Sequence, residues 1–428
     1  MIDTAVSNAT VNNTPVSNAP VNNVQDIKQW RHQRISNSED ILETLAQAIH
    51  RGDRDQDRGQ EIAPEALAKL LKRAPWAFST RRVERDAAKT LITEATPKAG
   101  DLVLARVDAL GHHANLQLPE GRRRRLFPGD TIVVAYGNRY ACEQFEAEVP
   151  TGLGPCHLVA GGGIASRALS WHDQIGRGPT RITPLGLLGD AAGQILNLRD
   201  FAIAPPATTR SKPGVIAVLG TRMSVGKTQT AAFLLRGLRA AGYRVGYVKV
   251  TGTGAGADSW LLRDAGADRV LDFTDAGMAT TYLADIARIE AAMHTLVQDM
   301  AAHGMDIVVM EVADGVCQRE TRQLIAGEAF AGTVDGLVLA AGDALGAGAG
   351  VAALQEVMAA PIIALSGSLT ASPLQRREAE AASGIDSYSC GELAYADTAK
   401  KLLTEALARG ILARSGEDDV ATPQAACR

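Results

Sequence analysis

Aromatic side chains are scarce in this 428-residue chain, at 4 % of the total. So few leave no stacking platform for single-stranded nucleic acid. The cysteines are few, odd in number and scattered: Cys142, Cys156, Cys317, Cys390 and Cys427 form no CxxC pair. Neither a disulfide framework nor a cysteine zinc site is supported, and free thiols point to a reducing cytoplasm. No HExxH or GxSxG occurs, which removes the zinc-protease and nucleophile-elbow readings. The formal net charge is only -4, from 44 basic and 48 acidic residues. That gives no global field for nucleic acid or an anionic membrane, and the expectation is no membrane and no nucleic-acid partner. The first 25 residues have neither a basic start nor an apolar run, so no signal peptide is expected. The most apolar long stretch, 336–354, holds Asp343 and many glycines and reads as a buried strand and loop.

What the chain does have is enough apolar content for a core, 46 %, over a length that predicts two or three domains. Residues 4–13 and 14–23 form a tandem repeat, TAVSNATVNN and TPVSNAPVNN. Residues 1–25 therefore read as a disordered Asn/Ser/Thr-rich tail. Residues 26–98 read as helical. One helix is expected at ILETLAQAI and a second from near Pro64, with Leu67, Leu70 and Leu71 on one face. Residues 99–205 alternate in strand fashion and read as a small antiparallel β-rich domain. The arginine run at 122–125 reads as a solvated turn beside a hairpin, with an anion or RNA grip as the alternative. GGG at 161–163 is either an anion loop or a linker. His112 and His113 are adjacent, face opposite ways on a strand and read as structural.

From 206 to 414 the pattern changes to strand, glycine turn, helix, repeated. VIAVLG, RVGYVKV, DIVVMEV, GLVLAAG and PIIALSG are continuous apolar strands, which predicts a parallel sheet covered on both faces. The fold class expected is α/β: a doubly wound P-loop NTPase domain preceded by a smaller helical and β-rich domain. Residues 415–428 read as a disordered tail.

The strongest motif is GTRMSVGKT at 220–228, directly after VIAVLG. A glycine-bounded loop ending in GKT and opening a helix cradles phosphates with backbone N–H groups and the helix N-terminus. Gly220, Thr221, Met223, Ser224, Val225, Gly226, Lys227, Thr228 and Gln229 are the expected nucleotide contacts. Lys227 reaches the phosphates and the Thr228 hydroxyl serves Mg2+. Five residues, 221–225, separate the two glycines, one more than the common signature has.

GTRMSVGKT resembles the longer phosphate loop of dethiobiotin synthetase and its relatives, and the resemblance continues through GYRVGYVKVTGTG and EVADG. A closer likeness is to a microbial group that joins an N-terminal domain to such a module, some members being associated with N-acylated D-amino acids. The resemblance implies Lys249 as a second catalytic lysine and Thr253 as a substrate hydroxyl. It also implies Asp258 and Glu311 as metal ligands with Thr228, and a homodimer. Arg222, Asp314 and Asp343 are further candidates for the substrate. Two readings stay open at single positions: Lys249 as a solvated strand-end lysine, and Asp258 as the N-cap of SWLLRDAG. The expected activity is ATP- and Mg2+-dependent phosphorylation of a small carboxylate or carbamate-like substrate, ligase- or kinase-like. The alternative is a nucleotide-driven switch or cofactor-maturation NTPase acting on a protein partner.

Overall fold

The apolar faces of the sequence assemble into two sheets in the computed structural model, which describes residues 63–207 and 212–415. The tandem repeat, the helix expected at ILETLAQAI and residues 416–428 lie outside the described residues. Pro64 opens helix α1 (Pro64–Arg73), which buries Leu67, Leu70 and Leu71 as its spacing predicts. Each such side chain contributes about 1.5–3 kcal/mol when fully buried. The helical reading of 26–98 fails beyond Arg73. Ala74 is extended (ψ 131°) ahead of Pro75, whose ring disfavours the helical conformation in the residue before it. Short 3-10 turns at Phe78–Thr80 and Arg85–Ala87 follow instead.

Ten strands follow: β1 (Thr90–Ile92), β2 (Leu102–Ala109), β3 (Asn115–Gln117), β4 (Arg123–Arg125), β5 (Thr131–Tyr136), β6 (Arg139–Tyr140), β7 (Phe145–Glu148), β8 (Cys156–Ala160), β9 (Ile164–Trp171) and β10 (Thr180–Gly189). Eight of them form one sheet in the order β1-β10-β2-β5-β9-β7-β6, with β8 pairing β10 and β9. The antiparallel expectation needs one correction, because β5 and β9 run parallel, Ala135 beside Ile164. β3 and β4 make a separate hairpin, so Arg123, Arg124 and Arg125 are a strand and not a turn. His112 and His113 precede that hairpin with ring centroids 4.9 Å apart, instead of facing opposite ways, and both pack on Phe145.

Burial first, then Arg139 and His112, hold the His113 imidazole down at about 3. The unfolded chain therefore takes up a proton there, and the folded chain does not, between about pH 6.5 and 3. Stability contributed by neutral His113 is full above pH 6.5 and falls as pH drops through that window. His113→Phe should flatten the fall of melting temperature between pH 6.5 and 4; an unchanged slope would refute the assignment.

The C-terminal half contains β11 (Gly214–Gly220), β12 (Val245–Lys249), β13 (Arg269–Asp272), β14 (Ile307–Glu311), β15 (Gly336–Ala340) and β16 (Ile362–Ser366). They form one all-parallel sheet in the order β13-β12-β14-β11-β15-β16. Helices α2 (Lys227–Ala240) and α3 (Ala257–Asp264) cover one face. Helices α4 (Ile286–Ala302), α5 (Arg319–Ile325), α6 (Glu328–Thr333), α7 (Ala344–Gln355) and α8 (Pro373–Ser383) cover the other. Helices α9 (Cys390–Leu393) and α10 (Ala396–Ser415) return to the first face through Leu393, Leu402 and Leu403. This is the doubly wound α/β arrangement expected from the sequence. The strand-and-loop reading of 336–354 is corrected by α7, which Asp343 starts by accepting from Gly346 N at 2.7 Å. Among the described residues no helix is long and apolar enough to cross a membrane.

Candidate functional site

In an open parallel sheet, ligands bind beyond the C-terminal ends of the strands. The phosphate-loop motif lies there: β11 ends at Gly220 and α2 begins at Lys227. Val225 is fully buried, and its carbonyl accepts from Ser368 N at 2.9 Å, which ties the loop to the end of β16. Met223 is half-buried, while Arg222, Ser224 and Gln229 are exposed. Lys227 is 7 % exposed and donates to the carbonyls of Arg222, at 2.9 Å, and of Asp314. Burial pulls its pKa below the usual lysine value, against the raising effect of Glu311 and Asp314.

Parallel register brings the next residues together. Lys249 at the end of β12 and Glu311 at the end of β14 are paired positions on neighbouring strands, so their side chains leave the same face. Lys249 Nζ lies 3.0 Å from Glu311 Oε1 and also binds Asp258. Burial opposes its charge, yet Asp258 and Glu311 more than offset this and raise its pKa. Lys249 is thus not a solvated lysine. Glu311 is 1 % exposed and accepts from the Tyr247 hydroxyl at 2.9 Å and from Thr228 Oγ1 at 3.3 Å. Asp258 is not the N-cap of its helix: Gly256 holds that position, without a side-chain cap bond, and Asp258 faces Lys249.

The donor set suits Mg2+, which takes oxygen ligands, needs only one or two carboxylates and keeps several waters. Thr228 and Glu311 already place a hydroxyl and a carboxylate oxygen 3.3 Å apart, and Asp258 shares Lys249 with Glu311. Among the described residues no cluster of three or more His, Cys, Asp or Glu side chains forms a self-contained metal cage.

The remaining candidates divide. Asp314 is in the site: its carbonyl holds Lys227, and burial first raises the carboxyl pKa while Lys227, Lys249 and Arg139 oppose the rise. Thr253 forms a backbone bridge to Thr280. Asp343, read as a substrate contact, is exposed and caps α7 through Oδ1.

Sequence reasoning missed the contribution of the N-terminal half. The segment after β6 places Glu143 on the phosphate loop, where Oε2 accepts from Ser224 Oγ at 2.6 Å and Oε1 lies 3.4 Å from Arg222 Nη1. Gln117 Oε1 accepts from Gly256 N at 2.8 Å. Arg81 pairs with Asp272, the last residue of β13, at 3.1 Å and with Asp275 just past it at 2.6 Å. Arg139 is 7 % exposed; Gln144 Oε1 accepts from its Nη2 at 2.6 Å, and its Nε has no partner among the described residues. Burial lowers its pKa to about 10, and Asp314 opposes that shift. The glycine run at 161–163 is neither anion loop nor linker but a packing turn. A Cβ on Gly162 would stand 2.0 Å from the carbonyl oxygen of Gly254, in the loop after β12. No spacing in the sequence announces these contacts.

Comparison with a family model agrees with the phosphate-loop region of the C-terminal half. Residues 215–314 match the family described as MobB, molybdopterin guanine dinucleotide synthesis protein B. No curated protein matches the chain. Among solved structures, the chain is similar to the signal recognition particle 54 kDa protein of Aeropyrum pernix in complex with GDP. There the identity is 20 %, the TM-score 0.31, and coverage 50 % of this chain and 52 % of the other. It is also similar to a DUF1611 family protein of Anabaena variabilis, at 14 % identity, TM-score 0.33 and coverage of 51 % and 66 %. The chain thus spans about half the length of the first of these proteins. With its strand, glycine loop and lysine-led helix at the end of an all-parallel sheet, the C-terminal half belongs to the P-loop NTPase superfamily.

Proposed function

We propose that the chain is an ATP- and Mg2+-dependent enzyme that phosphorylates a small carboxylate or carbamate-like group, giving an acyl phosphate for capture by an amine. The observation that carries this is the meeting of two lysines, buried Lys227 and half-buried Lys249, with Glu311, Asp258 and Thr228 at adjoining strand ends. Phosphoryl transfer asks for positioning and charge neutralisation more than for covalent chemistry, and this set offers both. Lys227 closes the phosphate loop, opens α2 and would bind the phosphates. Lys249, kept protonated by two carboxylates, would face the transferring group. Thr228, Glu311 and Asp258 would hold Mg2+, which when bound neutralises charge on the phosphate oxygens. Homodimerisation, implied by the resemblance, belongs to the same proposal.

A second reading rests on Glu143. A carboxylate bonded to Ser224 on the phosphate loop is repelled by an arriving triphosphate, so the bond between the two halves would respond to nucleotide as a switch does. The name of the matching family, a cofactor-synthesis protein, suits that version. One experiment separates them: turnover of ATP and of GTP with Mg2+, alone and against a panel of mono- and dicarboxylates with amine acceptors. Stimulation by a small molecule, with a phosphorylated or ligated product, supports the enzyme. Turnover that responds only to a protein partner supports the switch, and failure to bind either nucleotide overturns both.

A further inference from the structure

The arginine run is not absorbed by the phosphate-loop chemistry. In β4, strand alternation leaves Arg123 and Arg125 exposed and Arg124 half-buried. Arg125 lines an open cavity of about 250 Å3 with His112, Gln174, Ile175 and Arg177. Every lining residue comes from the N-terminal half. The walls are ordered by backbone bonds: Ile175 N donates to His172 O at 2.9 Å, and His112 N to Gly178 O at 2.9 Å. Thr180 Oγ1 ties them further, accepting from Gly111 N at 2.9 Å and donating to His113 O at 2.7 Å.

The charge inside is of one sign. No acidic residue lines the cavity. Among the described residues neither the Arg125 nor the Arg177 side chain has a hydrogen-bond or ion-pair partner, whereas those of other arginines such as Arg81, Arg239 and Arg376 are paired. Two guanidinium groups held at one cavity repel each other unless an anion lies between them, and their planar forks suit oxyanions. The volume falls below the range of about 300–1,000 Å3 that takes drug-sized ligands, so the occupant is small.

We infer that this cavity is a binding site for a small polyanion, a phosphate or polycarboxylate compound, gripped by Arg125 and Arg177 and separate from the phosphate loop. The run at 122–125 is then divided in use, with Arg125 turned to the cavity.

The test is calorimetric titration of the full chain with pyrophosphate and, separately, with citrate. It is done in a Lys227→Met background, so that the phosphate loop does not contribute. Saturable binding of either probe with Kd below about 1 mM is expected, and the probe that binds names the source chemistry. Adding Arg125→Gln and Arg177→Gln should weaken it at least about tenfold, the scale of losing charge-assisted hydrogen bonds. Both side chains are exposed, so melting temperature should hold, and the paired Arg→Lys variant should retain part of the affinity. No saturable binding, or equal affinity in the Gln variant, overturns the site. So does tighter binding of a single-stranded RNA oligomer that the same substitutions abolish, because the run would then be a nucleic-acid grip.

Discussion

Lys227→Met should lower nucleoside triphosphate turnover by about 10²–10³-fold, the usual cost of deleting one donor that stabilises transition-state charge. Methionine keeps the aliphatic stem, which packs beneath Gly220 so closely that a Cβ there would lie 2.7 Å from Lys227 Cγ. What is lost is the ammonium, whose charge burial already disfavours. The folded state should therefore survive, with a melting temperature close to that of the parent. Lys249→Met should behave differently. It leaves Glu311 and Asp258 facing one another without their shared cation. Removing one partner of a buried pair costs about 3–5 kcal/mol, so both melting temperature and turnover should fall. Steady-state turnover and thermal unfolding of the two variants side by side give the contrast. Parent-like turnover in Lys227→Met would sink the role assigned to the phosphate loop.

The second large effect is expected at Gly367, which no motif marks. It follows β16 with φ +91° and ψ -164°, a region open almost only to glycine. A Cβ there would stand 2.5 Å from the Val225 carbonyl oxygen and 2.9 Å from the backbone of Ala341. All three contacts are backbone, so none can swing aside. Gly367→Ala should therefore combine a backbone penalty of about 1–3 kcal/mol with an overpacking penalty of about 1–3 kcal/mol. Because Val225 belongs to the phosphate loop, nucleotide affinity should fall with stability. Gly384→Ala is the control: its φ is +70°, nothing lies within 4 Å of the added Cβ, and it caps α8 away from the loop. It should cost about 1–2 kcal/mol through its left-handed backbone and leave nucleotide binding intact. Equal effects of the two substitutions on nucleotide binding would disprove the buttressing role.

The parts of the site legible in the sequence are those encoded locally. The loop at 220–228 sits between an apolar run and a helix, and its context needs no distant residue. Lys249 and Glu311 end apolar runs, and parallel register then does the rest, because equal strand positions on neighbours meet. Asp343 shows the limit of local reading: at a strand end it reads as a ligand, and only the helix after it shows that it also caps. That helix was itself hidden, since a run of Gly and Ala carries no apolar period. Arg123–Arg125 was hidden because three charges in a row show no alternation, although their neighbours across β3 pair them into a strand. Glu143, Gln117 and Arg139 were beyond reach altogether. They lie in the N-terminal half and meet the C-terminal half through tertiary packing alone.

The abutment of Gly162 on Gly254 reaches past this one protein. Two backbones touch there with no room for a methyl group, and the touching residues lie on either side of residues 208–211. Shuffling homologous genes with a crossover in that stretch would pair a turn with a loop it was never shaped to meet. Hybrids should survive chiefly when the parent that supplies the N-terminal half carries glycine at position 162, because the loop presents a backbone carbonyl there whatever its own side chain.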